Sequence, residues 1–118
     1  MKGAQGRLYA KGRLKPGQMN QTEARYAKHL EEEKRAGRLV AFWFEALKLK
    51  VADGACWYSP DFMVLLQDGT VELHEVKGSM RIFQDDAKVK CKVVSTIYPF
   101  PLKVVCPKKG GGWDVKDF

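Results

Sequence analysis

The stretch that decides the fold is "YSPDFMVLLQDGTVELHEVKG", residues 58–78, which has the pattern of a β-hairpin. Two runs rich in β-branched and apolar residues flank the tripeptide QDG at 67–69, and Asp-Gly between such runs is a strong hairpin signal. Three charged residues, Asp61, Glu75 and Lys77, interrupt a segment that is otherwise suited to burial. They need a physical explanation, because burying an unpaired charge costs free energy.

The length of the turn decides which residues face each other across the hairpin. A two-residue Asp-Gly turn places Phe62 opposite Glu75 and directs Asp61 to the other face. A three-residue loop, with Gly69 in the left-handed conformation, places Asp61 opposite Glu75 instead. The second register also gathers the apolar residues at 63, 65, 71 and 73 on one face. Since such patterns set register, we expect the three-residue loop, with Lys77 diagonally adjacent to the two acids.

Two carboxylates that face each other across a sheet repel, and leaving them half-buried costs several kcal/mol unless something compensates. Lys77 offsets part of this cost. A divalent cation that prefers oxygen ligands, such as Mg²⁺, offsets more. The alternative is a salt-bridge cluster at the exposed end of the sheet, and these residues alone leave both interpretations open.

The sequence on either side of the hairpin predicts an α/β fold. The expected elements are a helix at 20–36, strands at 39–51, 57–66 and 70–77, a helix at 85–98, a strand at 102–106 and a glycine-rich tail at 108–118. Asn20 and Glu23 can form a capping box at the start of the first helix, and Gly37 ends it. The connection through the second helix predicts that the third and fourth strands are parallel. The order helix-strand-strand-strand-helix-strand therefore indicates a small mixed sheet with helices packed on it.

Several aromatic residues lie close to the hairpin in sequence. We expect Phe42, Trp43 and Phe44 to belong to the core rather than to stack on bases. His74 alternates with Glu75 and is expected on the opposite face as a surface or packing residue. Trp57 and Tyr58 directly precede the charged positions, so a role for them facing a substrate is open.

The net charge is +7, from 21 basic and 14 acidic residues, which suggests a polyanionic partner. Residues 1–22 carry five basic side chains and no acid before position 23, and glycines and Pro16 disfavour a helix there. We expect a flexible basic arm at 1–18 that can follow a phosphate backbone, and a single domain at 19–118. The alternative for the arm is a solubilising tail.

The three cysteines, Cys56, Cys91 and Cys106, contain no Cys-x-x-Cys pair, and their spacings together with two histidines do not favour structural zinc. Reduced thiols in a cytoplasmic protein are the simpler interpretation. The sequence lacks an apolar run near the roughly 20 residues of a membrane helix. It also lacks the pattern of a signal peptide, so no membrane partner is expected.

Pro60-Asp61, followed after 13 residues by Glu75-Val76-Lys77, resembles the signature of the PD-(D/E)XK nucleases. The segments "TEARYA", "YSPDF", "HEVKG" and "DDAKVK" are similar to a small phage-type family of endonuclease-like proteins, whose relatives include Holliday-junction resolvases. The resemblance covers about residues 20–106 and implies a restriction-endonuclease-like core.

The resemblance implies a role for each matching residue. Asp61 and Glu75 resemble the metal-binding carboxylates, with the backbone carbonyl of Val76 as a further ligand. Lys77 resembles the catalytic lysine, which positions or deprotonates the attacking water. Glu23 resembles the additional acid that many of these enzymes carry on the first helix, and its alternative role is the capping box alone.

The implied function is a Mg²⁺-dependent DNA endonuclease, with Mn²⁺ as a substitute, that hydrolyses phosphodiester bonds in branched or Holliday-junction DNA. Two symmetric cuts at a junction imply a homodimer, and the family implies a phage or prophage protein in the bacterial cytoplasm. The candidate DNA contacts are Lys11, Arg13, Lys15, Lys88 and Lys92, and a solvated helix face is the alternative for the last two. The rival functions are a non-catalytic basic nucleic-acid-binding module with this fold and a basic structural or packaging protein.

Overall fold

The computed structural model of the chain describes residues 17–80 and 85–118. The predicted DNA contacts Lys11, Arg13 and Lys15 lie outside these residues. The secondary-structure elements, in chain order, are α1 (Gln21–Arg35), β1 (Leu39–Phe44), β2 (Leu49–Ala52), β3 (Cys56–Tyr58), β4 (Phe62–Leu66), β5 (Val71–Val76), α2 (Asp85–Ile97), β6 (Leu102–Pro107) and β7 (Trp113–Asp117).

Five of the strands form a mixed sheet in the order β1-β4-β5-β6-β7, and β2 and β3 form a separate two-stranded sheet, the ribbon. β5 and β6 are parallel and are joined through α2, whereas the other neighbours are antiparallel. The predicted α/β class and the predicted parallel pair are therefore confirmed. Within the described part of the chain, no helix combines the length and apolar character needed to cross a membrane.

The two helices cover opposite faces of the main sheet. This follows from β5 and β6, in which residues beneath one helix alternate with residues beneath the other. The core beneath α1 contains Tyr26, Leu30, Leu39, Phe62, Val64, Val76 and Val105. The core beneath α2, which also includes the ribbon, contains Leu49, Tyr58, Leu73, Cys91, Val94, Leu102 and Val104. By this alternation Glu75 shares the α2 face with Leu73.

The capping box predicted at the start of α1 is confirmed. The Asn20 side chain accepts a hydrogen bond from the Glu23 backbone at 2.8 Å, and the Glu23 side chain accepts one from the Asn20 backbone at 2.9 Å. At the other end, Gly37 adopts a φ of 81°, which glycine reaches without the steric cost of a side chain.

The prediction of one continuous strand at 39–51 is wrong. The chain leaves the main sheet at Glu45, whose φ of 51° is left-handed and incompatible with a strand. The expected strand at 57–66 is likewise divided, by Ser59 and Pro60, since proline cannot donate to a strand ladder. The two breaks lie side by side, because the Glu45 N–H donates to the Asp61 carbonyl at 2.9 Å. Together they separate the ribbon from the main sheet.

The tail predicted at 108–118 contains a strand that the sequence analysis missed. Three consecutive glycines, 110–112, all adopt positive φ, and the turn they form returns β7 to pair with β6. Both aromatic residues of the tail pack against the domain: Trp113 makes a T-shaped contact with Tyr26 at 4.8 Å between ring centroids, and Phe118 packs against the core beneath α2.

The aromatic run in β1 is only partly in the core. Phe42 and Phe44 pack against the Phe62 ring with centroid distances of 6.1 and 5.2 Å. Trp43 is 43% exposed, so its predicted core position is wrong. Successive side chains of a strand point to opposite faces of the sheet. Phe42 and Phe44 therefore point to the α1 face, and the Trp43 ring between them does not.

Candidate functional site

The hairpin adopts the register predicted from the three-residue loop. Leu65 lies opposite Val71, and Met63 lies opposite Leu73. Gly69 has a φ of 89°, as the loop requires, and its N–H donates to the Leu66 carbonyl at 3.0 Å. Continuing this register beyond the last backbone pair brings residue 61 level with residue 75.

Asp61 lies directly before β4, at the point where the backbone ladder to β5 ends. Its Oδ2 accepts a hydrogen bond from the Val76 N–H at 2.7 Å, so the side chain replaces the next ladder bond. The carboxylate is half-buried. The backbone of Asp61 is held as well, through its carbonyl and Glu45, and both contacts fix the position of the carboxylate.

Glu75 is the second carboxylate of the site and is only 8% exposed. Its Oε1 accepts a hydrogen bond from the Tyr58 hydroxyl at 2.7 Å, and its Oε2 lies 3.3 Å from Lys77 Nζ. Asp61, Glu75 and Lys77, the acidic cluster, therefore come together at one end of the β4–β5 hairpin as the register predicted.

Tyr58 is a site residue whose role the sequence analysis did not identify. Its ring is buried in the α2 core rather than exposed to a substrate, and its hydroxyl is directed at Glu75. The Cys91 thiol from α2 lies 3.9 Å from the same hydroxyl and donates to it. The position of Tyr58 next to the charged motif was its only signal, because the contact depends on how the ribbon packs against the main sheet.

The electrostatics of the cluster raise the pKa of both acids. Burial and the neighbouring Glu75 charge raise the pKa of Asp61 to about 8, although the Val76 N–H and Lys77 act in the opposite direction. Burial also raises the pKa of Glu75, and the Tyr58 hydrogen bond and Lys77 offset this only in part. Lys77 alone therefore does not compensate two negative charges, and the cluster favours either a proton or a cation.

Glu23 serves the capping box and also lies within electrostatic range of the cluster. Its negative charge adds to the rise in the pKa of Asp61 and of Glu75. The two interpretations of this residue are therefore compatible: the hydrogen bond to Asn20 fixes its side chain at the start of α1, and its charge reaches the site from there.

The donor set of the cluster suits a small divalent cation that retains water ligands. Among residues 17–80 and 85–118, no group of three or more His, Cys, Asp or Glu side chains is arranged to hold a metal ion. Mg²⁺ is commonly bound by one or two carboxylates, with waters and substrate oxygens as its other ligands. Asp61 and Glu75 meet that requirement. Because a cation is bound through oxygen lone pairs, the Val76 carbonyl is the backbone group of this residue that could serve as a ligand.

The remaining predicted DNA contacts, Lys88 and Lys92, lie on α2, beside the acidic cluster. α2 packs on the same face of the sheet as Glu75, and burial together with the Glu75 charge raises the pKa of the nearby Cys91 thiol to about 11. Lys92 is exposed and Lys88 is half-buried. The helix therefore lies beside the site, whereas a phosphate contact by these two lysines stays a prediction.

His74 belongs to a separate polar network beneath α1. It is 6% exposed, its Nδ1 shares a 2.6 Å hydrogen bond with the Tyr26 hydroxyl, and its Nε2 shares one of 2.9 Å with Glu72. The expectation that His74 packs on the face opposite Glu75 is confirmed. Its contacts satisfy buried polar groups and do not involve the acidic cluster.

The chemistry available to the cluster follows from its charge and its place at the end of the hairpin. A cation bound by the two carboxylates would lie next to the Lys77 ammonium, so that two positive groups converge on any anion bound there.

No family model matches this chain, and no curated protein or solved structure shows significant similarity to it.

Proposed function

We propose that this protein is a Mg²⁺-dependent DNA endonuclease of the PD-(D/E)XK type that hydrolyses phosphodiester bonds. The observation that supports this most is the burial of Asp61 and Glu75 beside Lys77, whose charge, among the described residues, offsets the rise in their pKa only in part. Such an arrangement is costly as a structural salt bridge, whereas it is what a cation-dependent phosphodiesterase requires.

Each residue of the site then has a role. When bound at Asp61 and Glu75, with the Val76 carbonyl as a further ligand, Mg²⁺ or Mn²⁺ supplies positive charge at the scissile phosphate. The Lys77 ammonium positions the attacking water and stabilises the negative charge that develops on the phosphate oxygens. Tyr58 orients Glu75 through its hydroxyl. Glu23 holds the start of α1 and adds negative charge that favours a cation.

The topology supports a restriction-endonuclease-like core. If the ribbon is treated as an insertion and β7 as an addition, the remaining elements are α1, β1, β4, β5, α2 and β6. These follow the order helix-strand-strand-strand-helix-strand, with neighbouring strands in the sheet. The insertion enters directly before Asp61, which explains how Tyr58 reaches the site.

The substrate we propose is branched or junction DNA, cut by a homodimer in the cytoplasm of a bacterium that carries the phage or prophage. The net charge of +7 favours a nucleic-acid partner. Two symmetric cuts at a junction require two active sites, and a homodimer supplies them.

Cleavage of labelled DNA tests this proposal. Wild-type protein should cut a four-way junction in Mg²⁺ or Mn²⁺ but not in EDTA, and should cut a linear duplex of the same sequence more slowly. Asp61→Asn and Glu75→Gln keep the shape of each side chain but remove its charge, and should abolish cleavage. Asp114→Asn, an exposed acid on β7, is the matched control and should cut normally.

Lys77→Ala should lose cleavage and retain junction binding. A wild-type protein that binds the junction but cuts neither substrate in either metal would favour the non-catalytic binding module instead. Equal cutting of junction and duplex would leave the nuclease in place and remove the selectivity.

A further inference from the structure

We propose that the outward face of the ribbon binds an unpaired nucleotide of the DNA substrate, with the base stacked on Trp57 and the adjoining phosphates held by Lys48 and Lys50. This inference rests on the proposed function for the identity of the substrate. It adds a binding site next to the acidic cluster and a physical basis for the choice of branched DNA.

The ring of Trp57 is partly exposed, and two cations lie over it. It is 41% exposed, and the ammonium groups of Lys48 and Lys50 lie 5.8 and 6.0 Å from its centroid. Both lysines are exposed. An accessible aromatic face next to positive charge is the combination that proteins use to bind single strands, because every base has a stacking face and every nucleotide a phosphate.

The alternation of the ribbon separates this outward face from an inward one. Leu49 pairs with Tyr58, and both are buried; Lys50 pairs with Trp57, and both are exposed. The outward face therefore carries polar and aromatic groups that the core does not need.

The ribbon is anchored, so the ring is held in place before any ligand binds. Lys90 Nζ on α2 donates to the Trp57 carbonyl at 3.3 Å, and the Tyr98 hydroxyl donates to the Lys50 carbonyl at 2.7 Å. The Ser59 hydroxyl donates to the Leu47 carbonyl at 3.0 Å. Preorganisation of this kind lowers the entropic cost of binding.

The proposed nucleotide site is close to the acidic cluster. Tyr58, the residue after Trp57, donates its hydroxyl to Glu75. Asp61 is four positions after Trp57 in the chain, which limits their Cα separation to about 14 Å. A strand that crosses the ring can therefore place a phosphate a few nucleotides away at the cluster. Bases in a continuous duplex are already stacked on both faces, so the site favours nucleotides at a branch point or in a single strand.

Binding measured in EDTA tests the inference without requiring cleavage. The probes are a fluorescein-labelled oligothymidylate and a labelled blunt duplex of equal length. Trp57→Ala should weaken oligothymidylate binding by about 10-fold or more, and Trp57→Phe should retain much of the affinity. Trp43→Ala is the matched control, since Trp43 is 43% exposed on a different strand, and it should bind normally.

The two lysines give a second measurement. Lys48→Ala combined with Lys50→Ala should lower the slope of log affinity against log salt by about 1.4, because each phosphate contact on a single strand contributes about 0.7. An unchanged slope would contradict the assignment of these lysines to phosphates.

Tryptophan fluorescence keeps the test decisive if Trp57→Ala does not fold. The chain has three tryptophans, so Trp43→Phe with Trp113→Phe leaves Trp57 alone, and oligothymidylate should quench its emission while the duplex quenches it less. The protein that retains only Trp43 should not respond. Equal responses from both proteins, or normal binding by folded Trp57→Ala, would overturn the inference even if the enzyme cuts junctions. If the protein binds through Trp57 but cuts nothing, the result would support this inference and would contradict only the proposed nuclease activity.

Discussion

At the level of single residues, hydrogen bonds hold the two carboxylates of the site in place but offset the effect of burial on their pKa only in part. Asp61 accepts from a backbone N–H, and Glu75 accepts from a neutral hydroxyl and lies beside one ammonium group. Neutral donors fix geometry but do not cancel a full charge. Burial raises the pKa of both acids by more than these partners lower it, and a cation would therefore stabilise the cluster.

Tyr58→Phe isolates the positioning role of one hydroxyl. Because the ring stays buried, we expect a loss of about 1 kcal/mol in the free energy of unfolding. The loss of the bond to Glu75 should raise the Mg²⁺ concentration needed for half-maximal cleavage by about 10-fold or more. Titration of cleavage with Mg²⁺ measures this. A variant that reaches half-maximal cleavage at a lower Mg²⁺ concentration than the wild type would contradict the proposed orientation of Glu75.

The control for this variant is Tyr98→Phe, which removes the same atom from a tyrosine that donates to the Lys50 carbonyl instead. It should lose comparable stability and keep the wild-type dependence on Mg²⁺. If both variants shift the metal dependence equally, the effect of Tyr58 is only a general loosening of the ribbon.

The raised pKa of Asp61 predicts that the metal-free protein loses stability as the pH rises. The folded state holds the Asp61 proton up to about pH 8, whereas the ordinary pKa is 3.8. The folded state therefore binds more protons than the unfolded state between these values, and stability is highest at the acid end of this range and falls towards pH 8. Each proton bound by the folded state alone changes stability by about 1.4 kcal/mol per pH unit.

Urea unfolding in EDTA at pH 5 and pH 8 measures this decline. Because Asp61 is only half-buried, we expect Asp61→Asn to reduce the difference by about 1 kcal/mol or more. Saturating Mg²⁺ should reduce it in the wild type, since a bound cation replaces the proton. Parallel curves for wild type and Asp61→Asn would show that this carboxylate does not titrate between these values.

At the level of elements, local sequence was sufficient where short-range rules decide the structure. The capping box of α1, the left-handed Gly69 and the apolar pattern of the hairpin each act within a few residues, so the helix and the register could be predicted. The pairing of Asp61 with Glu75 followed directly from that register. Most of the candidate site was therefore readable from the sequence before any tertiary contact was known.

The elements that could not be predicted depend on contacts between distant segments. Glu45 has no local feature that requires φ of 51°, and its N–H is satisfied by Asp61, which is 16 positions later in the chain. β7 follows three glycines, which disfavour regular structure locally, and it exists because β6 offers an open edge. Tyr58 reaches Glu75 only because the ribbon folds back against α2. In each of these cases, tertiary packing outweighs the local preference of the sequence.

At the level of the whole molecule, the main sheet separates two polar systems. The face beneath α1 carries His74, Tyr26 and Glu72 in mutually satisfied hydrogen bonds. The face beneath α2 carries the acidic cluster, with the ribbon and its exposed tryptophan beside it. The described polar groups beneath α1 thus pair with one another, whereas burial raises the pKa of both acids beneath α2, and we therefore expect the functional surface on the side of α2.

This asymmetry predicts where basic side chains matter for DNA binding. Lys88→Ala combined with Lys92→Ala removes two charges from α2, which lies on the proposed functional side. We expect weaker binding to junction and duplex alike, and a salt dependence whose slope falls by about 1.8, because each phosphate contact on duplex DNA contributes about 0.9. Fluorescence anisotropy in EDTA across a range of salt concentrations measures both quantities.

The matched control is Lys34→Ala combined with Arg35→Ala, which lowers the net charge equally at the exposed end of α1. If DNA lies against the α2 side, the control should change the slope much less than the α2 variant, because long-range effects of exposed charge are screened beyond about 10 Å at moderate salt. Equal losses from both variants would mean that the net charge acts without a preferred face. In that case the solvated-face alternative for Lys88 and Lys92 would be correct, and the DNA would have to approach the acidic cluster without help from α2.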